Sequence, residues 1–539
     1  MAKSTSFSLG PLTAAVEARL SAWSDDGTAS RLFARDHTLW VEEEAPEIAD
    51  RLGWLTLGSS MRPHLEAISS HAKSAADVRD VVLLGMGGSS LAPEVFQRSW
   101  KRTSKTPRIR ILDSTHPAAV ARLTADLDPA SVQFIVSSKS GTTVEPLSFM
   151  KHFWEFLDDS GVDPGPRFIA ITDPGSPLVA VAGERGFAAV FETIPDVGGR
   201  YSALTHFGLL PAAMIGADPG ALLDQVSAIE AGARDGEVDS GFGLGAVLGE
   251  AALAGRNKAT WIVPPALEAF PDWVEQLVAE STGKAGSGIV PIAAEPIRAP
   301  DGYADDRIFI HLSLTGREDP NADHIAALAA AGHPVVHTEL ADETAIVAEM
   351  FRSEIAVALA SSILGLHPFN QPDVERAKAL TREAMAGTGS TSPIEETAPE
   401  HGGAFVAVVR ELTADDPEFI ALQAFIAPNP EVDAAIDRIR RALGDRSTAA
   451  TTFGYGPRFL HSTGQLHKGG PSGGRFLQIV DHASPEIPVP GTDYSFARLI
   501  QAQADGDHRA LQGAGRTVTR VCLGDDVPAG LKALEEALR

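Results

Sequence analysis

The chain has 539 residues, 44% hydrophobic and 22% charged, with a formal net charge of −26. That length suits roughly three domains of ~150 residues each, and the composition is that of a globular protein, which argues against disorder. No basic stripe relieves the acidic balance, so neither nucleic acid nor an anionic membrane is expected as a partner. A small anion remains admissible, because screening limits distant charge to a range of about 8 Å.

A single cysteine, Cys522, leaves no intramolecular disulfide framework and no cysteine-rich metal site. The opening "MAKSTSFSLGPLTAAVEARL" lacks a continuous apolar core, and no apolar run is long enough to span a bilayer. The expectation is a cytoplasmic protein without signal peptide or membrane span.

In chain order, residues 1–60 read as a mostly helical packing arm. From Val81 short apolar runs alternate with loops and amphipathic stretches: "VVLLG" at 81–85, "RIRILD" at 108–113, "QFIVSS" at 133–138, "RFIAITD" at 167–173 and "AAVFE" at 188–192. Strands alternating with helices imply a parallel sheet covered on both faces. The pattern restarts after "DSGFGLGAVLG" with "TWIVPP", "RIFIHLSL" and "PVVHTEL", followed by a buried helix at 343–364. The predicted organisation is α/β: two doubly wound parallel-sheet domains at 61–235 and 236–390, a linker around 384–403, and a C-terminal α/β extension at 391–539. In that extension "AFVAVVREL", "AATTFGYG", "RFLQIV" and "TVTRVCL" look like strands. No short-period repeat is visible.

Ligands of open α/β sheets sit where strand ends meet helix N-termini. The first such loop, "LLGMGGSSLAPE", brings Gly88 and Ser89 close to any ligand. It departs from a dinucleotide fingerprint at Ser90, although Asp113 stands where a ribose-binding acid would. The second, "FIVSSKSGTTVEP", gathers Ser138, Lys139, Ser140, Thr142 and Thr143 before a helix, a donor set suited to a phosphate monoester. A plain helix cap needs only one such hydroxyl. In "DVGGRYSALTHFG", Arg200 follows two glycines and suits an oxyanion contact or an ordinary surface turn. In "PDWVEQLVAESTGKAGSG", Gln276 and Glu280 share one helix face. Glu280 is either a general base with a raised pKa or a solvated helix glutamate.

Together the segments "GMGGSSLAP", "SSKSGTT", "VGGRYS", "ESTGK" and "HPFNQPDVERAK" resemble glucose-6-phosphate isomerases, which are built from two sugar-isomerase (SIS) domains. The likeness covers about 80–380 and is nearest to the phosphoglucose isomerase half of bacterial fusions with transaldolase. It implies interconversion of glucose 6-phosphate and fructose 6-phosphate through a cis-enediol, without metal or organic cofactor. Ser138, Lys139, Ser140 and Thr143 would hold the phosphate, Gly88 and Ser89 would line the sugar, and Gln276 would also bind the substrate. Arg200 would stabilise the enediolate, Glu280 would carry the proton, and Lys378 would stand near the ring oxygen. The family's ring-opening histidine normally follows the "ESxGK" stretch within tens of residues. Here only His311 does, in a strand-like run that suits a core residue.

The missing motif recurs as "LHSTGQLHKGG" at 460–470. His461 is therefore the candidate for ring opening, His467 the runner-up, and a structural role for both the remaining reading. The resemblance also implies a homodimer with His461 contributed across the subunit interface. Two other functions stay open: a non-catalytic SIS regulator that binds a sugar phosphate, and a nicotinamide oxidoreductase. Activity on mannose 6-phosphate is compatible with the isomerase reading.

Overall fold

The computed structural model describes residues 2–75, 78–101, 106–386 and 393–539. Part of the 384–403 linker expectation thus lies outside the described residues. The chain opens on a strand, β1 (Ala2–Ser8), where a helical arm was expected. Its sequence is polar because it sits on a sheet edge with one neighbour. Helices at Thr13–Asp25 and Thr28–Phe33 follow.

All five apolar runs of the first unit form strands: β2 (Asp80–Gly85), β3 (Arg108–Leu112), β4 (Val132–Ser137), β5 (Phe168–Thr172) and β6 (Ala189–Glu192). They are parallel, in the order β3-β2-β4-β5-β6. Strands β2, β4 and β5 are buried along their whole length, which is why they read as unbroken apolar runs. The second sheet holds β7 (Lys258–Ile262), β8 (Val290–Ile292), β9 (Arg307–Leu314) and β10 (Val335–Leu340) in the order β8-β7-β9-β10-β1, with β1 antiparallel. Strand β8 has only three residues, one a proline, and proline in a sheet belongs at such an edge.

The C-terminal region departs further from the sequence reading. It forms a third parallel sheet from β11 (Glu396–Thr397), β12 (Phe419–Phe425), β13 (Ala450–Tyr455), β14 (Gly474–Val480) and β15 (Thr517–Cys522), ordered β13-β12-β14-β15-β11. The segment "AFVAVVREL" is no strand: Gly403–Arg410 is helical, and Phe405, Val409 and Leu412 bury at helical spacing. An interior strand is instead β12, "FIALQAF", buried on both faces.

One ordering recurs in all three sheets. Counting from β2, β7 and β12, the four consecutive strands lie 2-1-3-4, and the fifth place is filled differently: by β6, by antiparallel β1, and by β11. Residues 393–539 are therefore a third doubly wound unit. Such sheets bind ligands beside the switch between their first and third strands.

The N-terminal segment and the first two sheets share one continuous core, including Trp54, Phe96 and Phe351. The third sheet has its own core around Ile420, Ile436 and Leu534. It is docked onto the first unit by Phe149 stacked on Phe496, with centroids 5.7 Å apart. Against the second unit, Arg440 donates to the carbonyls of Ala293 and Ala294 at 3.1 and 2.7 Å.

Candidate active site

The loops after β2 and β4, which flank the switch point of the first sheet, form one wall of a cavity of about 470 Å³. A Cβ on Gly88 would stand 2.0 Å from the Gly199 carbonyl oxygen, so the glycine loop and the Arg200 loop approach backbone to backbone. Gly88, Ser89, Lys139, Ser140, Thr143 and Arg200 line this cavity, and Gln276, Glu280, Lys378 and His461 complete it. Ser138 stands behind them: it is buried and donates to Thr143 Oγ1 at 3.1 Å, shaping the loop. Ser140 Oγ lies 3.0 Å from Thr142 Oγ1, and Lys139 pairs with Asp173. Thr143 precedes the helix Val144–Asp159, whose free N–H groups favour an anion here.

Glu280 comes from the helix Phe270–Thr282, which Gly283 ends. Gln276 Nε2, one turn earlier, donates to Glu280 Oε1 at 3.4 Å and to the His461 carbonyl at 2.8 Å, tying base and histidine loop together. Gln371 Nε2 donates to Glu280 Oε2 at 2.7 Å. Arg200 Nε faces the same oxygen at 3.1 Å, while its other nitrogens donate to the carbonyls of Pro368, Phe369 and Asn370. Burial raises the Glu280 carboxyl above the usual carboxylate range; the Arg200 charge and the Gln276 bond oppose this without cancelling it. That environment suits a base that must hold and release a proton.

His461 ends the short turn Arg458–His461 that follows β13. Its Nε2 lies 3.0 Å from Glu145 Oε1. Burial pushes the Glu145 carboxyl up, but the His461 and Lys378 charges outweigh it and hold it below the ordinary value. The loop is anchored by Arg458, whose Nη1 meets Glu94 at 2.6 Å and Asp113 at 2.8 Å, with Asp272 at 3.4 Å from Nη2. Asp113 is thus a clamp for the histidine loop and not a ribose ligand.

His461 lines this cavity from its own chain. The loop after β13 lies against the first unit, where Arg458 meets Glu94 and Asp113. His467 does not line the cavity. It is buried between Phe459 and Phe476 and pairs with Gln423 at 3.0 Å, and burial drives its imidazole well below the usual range. His311 likewise is a core residue, held by the Ile262 carbonyl at 2.9 Å and Asp319 at 2.7 Å.

Three contributors were missed in the sequence. Gln371 lies inside the lysine motif and Glu145 directly follows the hydroxyl-rich loop, so motif position offered a signal for both. Gln503, which donates to Glu145 at 2.7 Å, sits in an amphipathic helix that offered none.

Among the described residues no cluster of histidine, cysteine and acidic side chains suits a metal ion, and no helix is long and apolar enough to cross a membrane. Fold and site define a doubly wound α/β protein with a hydroxyl-rich loop facing a buried Arg200–Glu280 pair across one cavity. A family model described as phosphoglucose isomerase matches residues 56–290. A probable glucose-6-phosphate isomerase of Natronomonas pharaonis is 31% identical over 391 residues, spanning 64% of this chain and 87% of that protein. The glucose-6-phosphate isomerase of Thermus thermophilus is 28% identical over 391 residues, spanning 63% of this chain and 92% of its own. This chain belongs to the glucose-6-phosphate isomerase family. The crystal structure of a glucose-6-phosphate isomerase from Chlamydia trachomatis shares the fold, with a TM-score of 0.62 at 18% identity over 72% of this chain and 89% of its own.

Proposed function

We propose that the protein interconverts glucose 6-phosphate and fructose 6-phosphate, a step shared by glycolysis and gluconeogenesis. The observation that carries this reading is the convergence on one cavity of a hydroxyl-rich anion loop, the Glu280–Arg200 pair and the His461–Glu145 pair. In this reading Lys139, Ser140 and Thr143, with the helix N-terminus behind them, hold the phosphate, and Ser138 shapes their loop. Gly88 and Ser89 line the sugar. His461 moves a proton between the ring oxygen and O1, with Lys378 beside that oxygen. The Glu280 carboxylate then takes the C2 proton of the open aldose and returns it to C1. Gln276 and Gln371 orient the carboxylate, and Arg200 N–H groups stabilise the enediolate oxygen. Only protons leave and return, so the steps consume no oxidant or reductant.

Because His461 belongs to the chain whose cavity it enters, any homodimer joins two complete sites. A non-catalytic sugar-phosphate regulator has no use for a buried glutamate with a raised pKa opposed to an arginine, and this disfavours that alternative. Mannose 6-phosphate is accepted if the planar enediol is reprotonated at C2 from its other face.

The test is incubation with fructose 6-phosphate, any glucose 6-phosphate being coupled to NADP reduction. Steady NADPH formation supports the reading, and none above the blank at high enzyme concentration rejects it. Parallel detection of mannose 6-phosphate decides the second substrate.

A further inference from the structure

The C-terminal unit sends more than its histidine toward the site. Its helix Phe496–Gly513 places Gln503, only 2% exposed, against residues of the first unit. Thr115 Oγ1 donates to Gln503 Oε1 at 2.7 Å, and Gln503 Nε2 donates to Glu145 Oε1 at 2.7 Å. That same Glu145 oxygen faces His461 Nε2 at 3.0 Å. Thr115 and Glu145 are 0% and 3% exposed, so water does not replace these bonds easily. The amide can face only one way, because the flipped form would set its carbonyl oxygen against the carboxylate. Glu145 Oε2 has no hydrogen-bond partner among the described residues. The alignment of the carboxylate therefore depends on the two donors at Oε1.

We propose that Gln503 is the positioning residue for the ring-opening histidine: with Thr115 it fixes the Glu145 carboxylate, which fixes the tautomer and orientation of His461. This rests on the isomerase reading above. With Nε2–H engaged by Glu145, Nδ1 is the nitrogen that exchanges a proton with the sugar. Gln503 touches no substrate; it acts through Glu145. The charged groups around His461 are Glu145 from the helix after the phosphate loop, Glu280 from the base helix and Lys378 from the lysine helix. Lys468, paired with Asp507, lines the cavity that adjoins it on the other side.

Two substrates separate positioning from structure. Fructose 6-phosphate is mostly cyclic and needs ring opening. Erythrose 4-phosphate has its O4 esterified, so no ring can close and only proton transfer at C2 is read, as hydrogen exchange with D2O. Gln503→Met keeps the volume and removes the donor. It is expected to lower kcat/KM on fructose 6-phosphate about tenfold or more, leaving C2 exchange on erythrose 4-phosphate within about twofold. Thr115→Val, which frees the amide to turn, should lower kcat/KM on fructose 6-phosphate selectively but by less, and it serves as the test should Gln503→Met fail to fold. Equal losses on both substrates, or a Thr115→Val protein that matches the parent on fructose 6-phosphate, would overturn the proposal. Absence of fructose 6-phosphate turnover in the parent protein would instead overturn the isomerase reading.

Discussion

Arg200 and Glu280 face each other at 3.1 Å, with side chains only 3% and 5% exposed. A buried pair of this kind is costly unless its remaining groups are bonded, and here they are, by three backbone carbonyls and two glutamines. The arginine has two tasks: it restrains the rise of the Glu280 pKa, and it is in place for the charge that develops when the base acts. Arg200→Ala should lower kcat about 10²–10³-fold, the usual loss for an oxyanion donor. The base works as a carboxylate, so activity falls as pH drops through its raised pKa. Removing a cation that lowers that pKa must move the acidic limb of kcat/KM upward. An acidic limb that stays put in the variant would mean that Glu280 is not the group titrating.

Glu280→Gln separates chemistry from binding. The amide keeps the size and can still accept from Gln371, but it cannot take a proton from carbon. Exchange of the C2 hydrogen with solvent should fall about 10²–10⁴-fold. Binding of inorganic phosphate, read by protection of the protein against heat, should be unchanged. Retained exchange would place the base elsewhere.

The two histidines of "LHSTGQLHKGG" should fail in different ways. His461→Ala removes an imidazole that lines the cavity, so turnover of fructose 6-phosphate drops while C2 exchange on erythrose 4-phosphate persists. His467→Ala opens the core of the third unit and strands Gln423, costing about 2 kcal/mol and lowering Tm with no selectivity between the substrates. A ring-selective loss in His467→Ala would reverse the assignment.

That contrast shows where the sequence was legible. The strands of the first sheet could be read because each is an apolar run bounded by loops, and the phosphate loop because several donors crowd into one turn. "AFVAVVREL" looks like a strand and is a helix, while the strand "FIALQAF" goes unassigned, since short apolar runs carry no period that separates a buried strand from a helix. The motif around His461 could be seen, but not where it lands. Its landing place is set by Arg458 meeting Glu94, Asp113 and Asp272, three acids scattered over the chain and brought together only by the fold. Gln503 had no local signal, because its role lies wholly in what it touches across units.

Gly88 tests the contact between the glycine loop and the Arg200 loop. A methyl group at Gly88 meets the Gly199 carbonyl oxygen at 2.0 Å and its carbon at 2.5 Å, both backbone atoms that cannot swing aside. Gly88→Ala must part the loops by about 1 Å, and misplacement of that size costs about 10²-fold in rate. The loss should appear in kcat/KM on both the cyclic and the open substrate, because Arg200 serves the step after ring opening. An active Gly88→Ala protein would show that the loops can separate without consequence.

The joint between the second and third units should set the acid stability of the protein. Glu295 is buried and accepts from Arg298 at 2.9 Å, from Arg307 at 2.8 Å, and from the Thr451 backbone N–H at 2.7 Å. Burial pushes its carboxyl up, but Arg307, Arg298 and Arg440 more than reverse this and bring it down to about 2. A carboxylate depressed in the folded state stabilises the fold fully above its unfolded value of about 4.5, and that contribution drains away as pH falls from there toward 2. A depression of this size corresponds to about 3 kcal/mol. Glu295→Gln leaves buried arginines without their counter-charge, so at neutral pH it should cost about 3–5 kcal/mol. Urea unfolding at about pH 7 and about pH 3 checks both statements: the parent should lose about 2 kcal/mol more than the variant over that interval, the remainder draining away only below about pH 3. Equal losses would mean that another carboxylate controls the acid transition. Because the same joint carries the unit that supplies His461, Glu295→Gln should also lower turnover of fructose 6-phosphate more than C2 exchange on erythrose 4-phosphate.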